Sequence, residues 1–368
     1  MIDFNLPQRS LNQGHWFKLI CGASFQHLPA IRTLSLVYAL AGADCVDVAA
    51  DPAIVSTARE AFAIANQLAP EAIQRGFTPS NPWLMVSLND GEDPHFRKAE
   101  FNPEICPPDC SRPCELICPA DAIDQTGVID DRCYGCGRCV PICPINQIVT
   151  RSYVYTPEVI APMLLQSGID AIEIHTQVGR YDDFKRVWNA IQPGLDRLKL
   201  IAISCPEGED LIDYLWALYE LIHPLPCALI WQTDGRPMSG DIGDGATRAC
   251  VKLGEKVLAT DIPGYIQLAG GTNRHTVPKL EASGMLHNRD STPASRWVSG
   301  IAYGSYARSL LSPVLTQLEA KEMMPLSDCS NLSPGAIETV PDLLWQAVEL
   351  ASELVHQIKS PNRVLQVI

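Results

Sequence analysis

Residues 133–144 read Cys-Tyr-Gly-Cys-Gly-Arg-Cys-Val-Pro-Ile-Cys-Pro, so four cysteines follow the spacing C-x2-C-x2-C-x3-C-P. Bacterial-type ferredoxins hold [4Fe–4S] clusters with this run, because thiolates two residues apart on a tight loop can converge on one cube. A wider variant precedes it, with three residues between successive cysteines and a final Cys-Pro. The two runs predict a ferredoxin-type segment with two iron–sulfur clusters, held by Cys106, Cys110, Cys114, Cys118, Cys133, Cys136, Cys139 and Cys143.

The fourth cysteine of each run is expected to serve the cluster of the other run, as in two-cluster ferredoxins. Cys118 would then join the first three cysteines of the later run, and Cys143 the first three of the earlier run. The wider spacing of the earlier run leaves its cluster open between [4Fe–4S], [3Fe–4S] and a set with a different ligand. Zinc and disulfides are the alternatives. A zinc ribbon needs two cysteine pairs, and disulfides are disfavoured in an intracellular chain.

The composition indicates a folded protein with room for a large core. The chain has 368 residues, of which 46% are apolar and 19% charged. A formal net charge of −14 argues against nucleic acid as a partner. The first ten residues lack the basic and apolar regions of a signal peptide, and no uncharged apolar run is long enough to span a bilayer. We therefore expect a cytoplasmic protein in a reducing compartment.

Outside the cysteine segment, short apolar runs alternate with longer amphipathic ones. Eight of the short runs are nearly continuous in apolar residues, which is typical of buried parallel strands. They are Phe17–Cys21, Cys45–Ala49, Trp83–Leu88, Ala171–His175, Leu200–Ser204, Ala228–Gln232, Tyr265–Ala269 and Val298–Tyr303. Eight strand–helix units predict a (β/α)8 barrel. An open doubly wound sheet is the alternative, but Gly22-Ala23-Ser24 after the first strand lacks the dinucleotide fingerprint.

The cysteine segment is predicted to be an insertion after the third strand, on the C-terminal face where barrel enzymes place their chemistry. Residues 1–99 and 153–322 would form the two parts of the barrel-like domain, and residues 100–152 the iron–sulfur insert. Residues 323–368 would contain a linker at 326–337 and a last amphipathic helix over Pro341–Ile358.

The loops after the seventh and eighth strands predict an anion site. In barrels these loops often bind phosphate through backbone N–H groups and a helix N-terminus, and glycine permits the close approach. The pattern is like that of flavin-binding barrels, so a flavin is the alternative to another phosphorylated ligand. The predicted ligand residues are Gly270, Gly271, Thr272, Asn273, Gly304, Ser305 and Arg308.

Other polar residues are expected near the same face. His175 ends the fourth strand and is either a proton donor or a histidine held by hydrogen bonds. Cys21 and Cys205 also lie at strand ends, and we expect inert thiols because no base adjoins them in the sequence. A glycine-rich loop after the sixth strand either folds over the barrel mouth or is solvated; its charged residues include Asp234, Arg236, Asp241 and Asp244. No motif identifies a catalytic residue.

Five segments resemble a single family. They are Ile-Cys-Gly-Ala-Ser at 20–24, Cys-Pro-Pro-Asp-Cys-Ser-Arg-Pro-Cys-Glu at 106–115, Cys-Tyr-Gly-Cys-Gly-Arg-Cys at 133–139, Gly-Arg-Pro-Met-Ser-Gly-Asp-Ile-Gly at 235–243 and Leu-Ala-Gly-Gly-Thr-Asn at 268–273. They are similar to the cyanobacterial light-dependent period (LdpA) family of iron–sulfur proteins, over nearly the whole chain. The resemblance implies the eight cysteine ligands named above, a place in circadian input, and clock and input kinase proteins as partners.

Two functions remain open at this point. The resemblance favours a sensor that receives electrons from a photosynthetic carrier and reports redox state to the clock. The alternative is an oxidoreductase whose clusters relay electrons to a flavin or phosphorylated ligand at the barrel mouth. A third possibility, clusters as structural staples alone, predicts a midpoint potential far outside the range of the cell.

Overall fold

The computed structural model describes residues 6–152, 166–236, 243–287, 296–322 and 336–359, together with residues 156 and 162. Within these ranges a closed barrel of eight parallel strands forms the body of the protein. Its strands are β1 Trp16–Ile20, β2 Cys45–Ala49, β3 Trp83–Asn89, β8 Ala171–His175, β9 Leu200–Pro206, β10 Ala228–Asp234, β11 Tyr265–Ala269 and β12 Val298–Tyr303. They follow one another around the barrel in this order, and β12 pairs with β1 to close it. The predicted (β/α)8 barrel is confirmed.

Helices surround the barrel because each strand is followed by a segment whose apolar face must be buried against the sheet. The described helices are α1 Leu6–Gln13, α2 Leu28–Ala41, α3 Pro52–Gln74, α4 Pro113–Ile117, α5 Cys139–Ile142, α6 Tyr181–Ile191, α7 Leu211–Ile222, α8 Thr247–Leu258, α9 Thr276–Ala282, α10 Ser305–Glu322 and α11 Pro341–Lys359. Helices α4 and α5 belong to the cysteine segment, and the main hydrophobic core lies between most of the other helices and the outward faces of the strands. No described helix combines the length and apolarity needed to cross a bilayer.

The interior of the barrel has an apolar layer and a polar layer. Side chains two residues apart on a strand point to the same face, so Trp16 and Lys18 of β1 both face inward. An apolar cluster fills the end of the barrel where the strands begin, and it contains Trp16, Trp83, Met85, Leu200 and Ile230. The polar layer lies closer to the mouth, where the strands end, and consists of buried Lys18, Asp47, Ser87, Glu173, Gln232 and Gln267.

The cysteine segment lies between β3 and β8, as predicted. Its stem is an antiparallel pair of β4 Arg97–Glu100 and β7 Val149–Ser152. A short hairpin of β5 Ile123–Asp124 and β6 Gly127–Val128 lies beyond the stem. The insert has a small hydrophobic core of its own, made of Ala99, Ala122, Ile123, Ile148 and four of the cysteines. The domain boundaries given above remain a prediction.

Two helices outside the insert were not predicted from the sequence. Helix α1 precedes the first strand, and α10 follows the last one and extends for 18 residues despite Pro313. Helix α3 also continues through Pro70 to Gln74. Proline usually ends a helix, so its presence concealed the length of both α3 and α10. Residues 326–335 of the linker predicted at 326–337 lie outside the described residues.

Candidate functional site

One group of thiols lines a cavity of about 410 Å³ in the insert, counting its opening to solvent. The four cysteines on its wall are Cys118, Cys133, Cys136 and Cys139. The N–H of Ala99 donates to Cys133 Sγ at 3.4 Å, and the N–H of Ala122 donates to Cys118 Sγ at 3.3 Å. Backbone donors to sulfur are among the contacts that tune iron–sulfur clusters. The chain thus brings Cys118 to the later run, as the exchange of fourth ligands requires.

Two of the other four cysteines belong to or adjoin helices α4 and α5, which pack together. Cys114 belongs to α4, and Cys143 follows the last residue of α5. Gln147 Nε2 donates to Cys106 Sγ at 3.0 Å. Burial acts to raise the pKa of Cys143, but backbone N–H groups of residues 145–148 outweigh it and lower the pKa. A sulfur surrounded by donors in this way suits a thiolate ligand, so the donor chemistry of the insert fits iron–sulfur clusters.

Gly135 and Gly137 shape the loop that carries Cys133, Cys136 and Cys139. Their φ angles are +70° and +76°, in the left-handed region that favours glycine. A Cβ at Gly135 would also overlap the carbonyl oxygen of Arg97 on the stem. The loop therefore packs directly against β4, which begins only a few residues beyond the end of β3.

A second cavity, of about 750 Å³ including its opening, lies at the mouth of the barrel. Its floor is the polar layer. Lys18 Nζ donates to Glu173 Oε2 and lies 3.6 Å from Asp47 Oδ2, and all three side chains are buried. Burial acts to lower the pKa of Lys18, but the two carboxylates raise it above its usual value, so the ammonium stays charged. Burial raises the pKa of Asp47, and Lys18 opposes that rise.

A chain of alternating carboxylates and imidazoles runs across one side of the mouth. His175 Nε2 lies 2.9 Å from Glu173 Oε1, and His175 Nδ1 lies 3.8 Å from Asp93 Oδ1. His95 Nδ1 lies 2.6 Å from the same oxygen of Asp93, and His95 Nε2 lies 3.0 Å from Asp234 Oδ2. The 3.8 Å gap between His175 and Asp93 exceeds a hydrogen bond, so the chain consists of two hydrogen-bonded parts, each of which can hold a proton.

The surroundings of His95 favour its charged form. Burial acts to lower the pKa of His95, but Asp93 and Asp234 raise it well above its usual value. Both ring N–H groups then donate to carboxylates. Asp93, His95 and His175 also offer three ligand atoms within 4.8 Å of one another. Since each imidazole already contacts a carboxylate, hydrogen bonding accounts for the arrangement without a metal ion.

The predicted anion loops begin beside Asp234, at the end of the carboxylate–imidazole chain, and continue around the mouth. Gly270, Gly271, Thr272, Gly304, Ser305 and Arg308 all line the cavity. Asn273 does not, because its side chain donates to the Gly243 carbonyl at 2.8 Å and accepts from the His275 N–H at 2.9 Å. Asn273 therefore shapes the loop.

The remaining residues singled out from the sequence have simple positions. Cys21 and Cys205 are buried, and burial raises the pKa of both thiols to about 12, which agrees with the inert role expected of them. Asp234 and Arg236 reach the cavity. Asp244 lies away from it and pairs with His275 at 2.9 Å. Asp241 lies outside the described residues.

Tyr134 connects the two cavities, because it lines both of them. It follows Cys133 in the chain, and its ring lies under the Arg308 guanidinium, with 4.1 Å between Cζ and the ring centroid. Arg308 in turn lines the mouth. The loop of the predicted cluster ligands is thus part of the wall of the barrel mouth.

Most of the charged network was missed in the sequence, although a signal exists. Lys18, Asp47 and Glu173 each interrupt an apolar strand at its middle position. A charge at an inward position of a buried strand needs a partner. Asp93 and His95 carried no such signal, since they belong to the short irregular connection between β3 and β4.

A (β/α)8 barrel with a ferredoxin-type insert after its third strand defines the chain as a barrel-type iron–sulfur protein. The Fe–S cluster-binding domain of the light dependent period A (LdpA) family matches residues 106–154, and the C-terminal domain of the same family matches residues 163–357. Light dependent period A of Synechococcus elongatus is 50% identical over 355 residues, which cover 96% of this chain and 94% of that protein. The chain therefore belongs to the light dependent period A family.

Two further similarities are more limited. An uncharacterised ferredoxin of Methanocaldococcus jannaschii is 39% identical over 62 residues, which cover 16% of this chain and 41% of that protein. Dihydrodipicolinate synthase from Oceanobacillus iheyensis aligns with a TM-score of 0.34 and 9% identity, over 97% of this chain and 84% of that one. A structural likeness at this level carries no argument about function.

Proposed function

We propose that this protein is a redox sensor that reports the redox state of photosynthetic electron carriers to the circadian clock. The observation that carries the proposal is the shared wall at Tyr134, between a thiol-lined cavity and the barrel mouth. A sensor needs a redox group whose charge acts on another part of the protein. The family match supplies the redox group, and the wall supplies the connection.

We propose two cubane clusters with exchanged fourth ligands. Cys118, Cys133, Cys136 and Cys139 would hold the cluster beside the barrel. Cys106, Cys110, Cys114 and Cys143 would hold the outer one, of the [4Fe–4S] or [3Fe–4S] type. When bound, each cluster supplies one-electron redox chemistry.

The magnitude of the signal is sufficient for regulation. At a separation of about 10 Å and an effective dielectric constant of about 20, one unit of charge corresponds to about 1.7 kcal/mol. Typical coupling free energies between sites are about 1–3 kcal/mol. Arg308 feels such a change through Tyr134, on which it stacks. Arg308 also donates to the carbonyl oxygens of Ile20 and Cys21 at the end of β1, so a shift of its side chain alters the rim of the mouth.

Partners follow from the same proposal. They are an electron donor or redox carrier, together with clock and input proteins. With a formal net charge of −14, the chain is expected to favour partners that present basic surfaces.

The test begins with anaerobic purification, iron and sulfide assays and a potentiometric EPR titration. Cys136→Ser is expected to remove about four irons and to abolish the dependence of circadian period on light. Cys250→Ser is the matched control, since Cys250 is a buried cysteine outside the insert. This variant should keep its full iron content and the dependence of circadian period on light. A period response that survives complete loss of the clusters would end the sensing proposal. A midpoint potential far outside the range of photosynthetic carriers would leave the clusters as structural staples.

An oxidoreductase is the second candidate, favoured by the carboxylate–imidazole chain at the mouth. A reductase needs protons delivered where electrons arrive, and the chain from Glu173 to Asp234 ends in the cavity that the cluster loop lines. A flavin or a phosphorylated ligand held by the glycine loops would be the electron acceptor. Stoichiometric flavin in the purified protein, reduced in step with the clusters, would favour this function over sensing alone.

A further inference from the structure

We propose that the barrel mouth binds a small metabolite with an anionic group at one end and a hydrogen-bond donor, a hydroxyl or an amine, at the other. The cavity presents an unmet donor on one wall and an unmet acceptor on another, and both belong to buried side chains. This inference concerns binding by the barrel itself and does not rest on the redox role.

The anionic end is assigned to Arg308. Arg308 is only 8% exposed, yet its guanidinium pairs with no carboxylate in the described part of the chain. Nη1 donates to the Ile20 and Cys21 carbonyl oxygens at 2.8 and 2.9 Å, and Nη2 donates to Ser305 Oγ at 3.2 Å. Nε is buried and has no acceptor among the described residues.

A helix terminus adds to this end of the cavity. Ser305 begins the 18-residue helix α10, and Gly304, Ser305 and Tyr306 line the mouth. The first N–H groups of a helix have no partner within the helix and carry partial positive charge. Together with the unmet Nε–H of Arg308, they form a site for a phosphate or a carboxylate group.

The donor end of the ligand is assigned to Asp234. Its side chain is 3% exposed, and Oδ2 accepts from His95. Oδ1 accepts no hydrogen bond from the described residues. A buried carboxylate oxygen without a donor is costly, so a hydroxyl or amine of a ligand is the partner it lacks.

The absence of a side chain at Gly270 leaves room for the Asp234 carboxylate. A Cβ at this position would overlap Asp234 Oδ1 and would come within 2.7 Å of the Arg236 N. Gly270 also has a φ of +68°, so two independent constraints select glycine beside the unmet oxygen.

The size of the ligand follows from the barrel. Asp234 ends β10, and the Arg308 guanidinium contacts the end of β1, so two strands, β12 and β11, lie between them around the barrel. Strands lie about 4.8 Å apart, so the two ends of the site are at most about 14 Å apart along the rim. A molecule of a few carbons with a terminal phosphate or carboxylate fits between the two groups.

The experiment uses the purified protein with its iron content and redox state held constant, and measures binding by calorimetry and by the shift in thermal unfolding temperature. The probes are inorganic phosphate, glycerol 3-phosphate and L-serine. Inorganic phosphate offers the anion alone, and the other two add a donor to a phosphate or to a carboxylate. We expect one of the two larger probes to bind one-to-one and more tightly than inorganic phosphate. The one that binds identifies the anionic group.

Two variants assign the ends of the ligand. Asp234→Asn should weaken binding of the bifunctional probe about tenfold and leave the affinity for inorganic phosphate unchanged. Arg308→Lys should weaken both about tenfold, because lysine cannot reproduce the forked donor geometry. Arg186→Lys is the matched control, since Arg186 lies on the surface and pairs with Asp183. Should Arg308→Lys fail to fold, Asp234→Asn decides the question alone.

Absence of saturable binding by both larger probes would overturn the proposal, as would affinities that neither variant changes. Equal affinity for inorganic phosphate and for the bifunctional probe would overturn the role of Asp234. None of these results bears on the redox potential of the clusters, so failure here is distinguishable from failure of the sensing proposal.

Discussion

Replacing Lys18 with methionine is expected to destabilise the barrel strongly and in a pH-dependent way. Lys18 Nζ donates to Glu173 and lies 3.6 Å from Asp47, with all three side chains inside the barrel. Methionine fills the space of the apolar stem but carries no charge. The variant therefore leaves two buried carboxylates without their cation, which costs far more than the ion pair itself contributes.

The magnitude follows from this loss. Removing one partner of a buried ion pair costs about 3–5 kcal/mol. The entropy of unfolding is about 2.1 cal/mol/K per residue, which for 368 residues gives about 0.8 kcal/mol/K. A loss of about 4 kcal/mol then lowers Tm by about 5 °C. Without Lys18, burial is expected to raise the folded-state pKa of Glu173 and Asp47 above their unfolded values. Stability linked to a raised pKa is present at low pH and lost as pH rises, so the deficit grows from pH 5 to pH 8.

Thermal unfolding followed by circular dichroism, under anaerobic conditions at both pH values, measures this deficit. The double variant Lys18→Met/Glu173→Gln removes one of the stranded charges and should recover at least half of the loss at pH 8. Lys256→Met is the control, because Lys256 forms an exposed pair with Glu207 whose loss costs under about 1 kcal/mol. A Lys18→Met protein as stable as the parent at pH 8, or equally impaired at both pH values, would refute the reasoning.

Three further predictions concern a buried carboxylate, the cluster loop and the barrel mouth. Burial raises the pKa of Asp90 to about 6, so its stabilising contribution is present at low pH and lost as pH rises through about 6. In urea unfolding, Asp90→Asn should therefore gain stability relative to the parent between pH 4 and pH 7. A difference in stability that stays constant over this range would contradict the prediction. Gly135→Ala should lower the iron content of the purified protein, because its methyl group meets a backbone carbonyl. Gly76→Ala is the control: this glycine also has a positive φ, of +90°, but a Cβ there has nothing within 4 Å, so the iron content should not change. Equal iron content in both variants would show that the cluster loop adapts to the methyl group. An anion bound beside Arg308 should lower the midpoint potential of the nearer cluster by about 50 mV in an EPR titration, and identical potentials with and without the bound probe would exclude the coupling.

The barrel could be predicted from the sequence because its strands carry a strong local signal. Runs such as Ala171–His175 and Tyr265–Ala269 are short, apolar and bounded by turns, and both are strands with these bounds in the structure. Helix α10 could not be predicted, since its apolar residues do not concentrate on one face and Pro313 interrupts the pattern. Local periodicity therefore sufficed for the strands but not for a helix whose burial is decided by tertiary packing.

The candidate site could be predicted only in part. The cysteine runs are contiguous, so their spacing alone shows the chemistry. The mouth is assembled from residues far apart in the sequence, such as Lys18, Glu173 and Asp234, and their proximity exists only once the barrel closes. Asn273 shows the reverse case, because its place in a predicted ligand loop did not make it a lining residue. Residues that are adjacent in sequence lie in one loop but need not line the same cavity, whereas residues at the ends of neighbouring strands can line one cavity although they are far apart in sequence.

The polar layer also bears on why this chain has a barrel at all. Apolar residues can replace a buried ion pair at little cost or with a gain in stability, and Trp16, Met85 and Ile230 fill the lower interior in that way. If stability alone were selected, apolar residues would be expected in the upper interior of the barrel as well. Instead, Lys18 and Glu173 lie directly beneath the mouth, where charged groups that weaken a core are usually kept for binding or catalysis. Clusters that acted alone would need only the insert. Because the insert instead forms one wall of this charged cavity, we expect the protein to respond to a ligand and to redox state together.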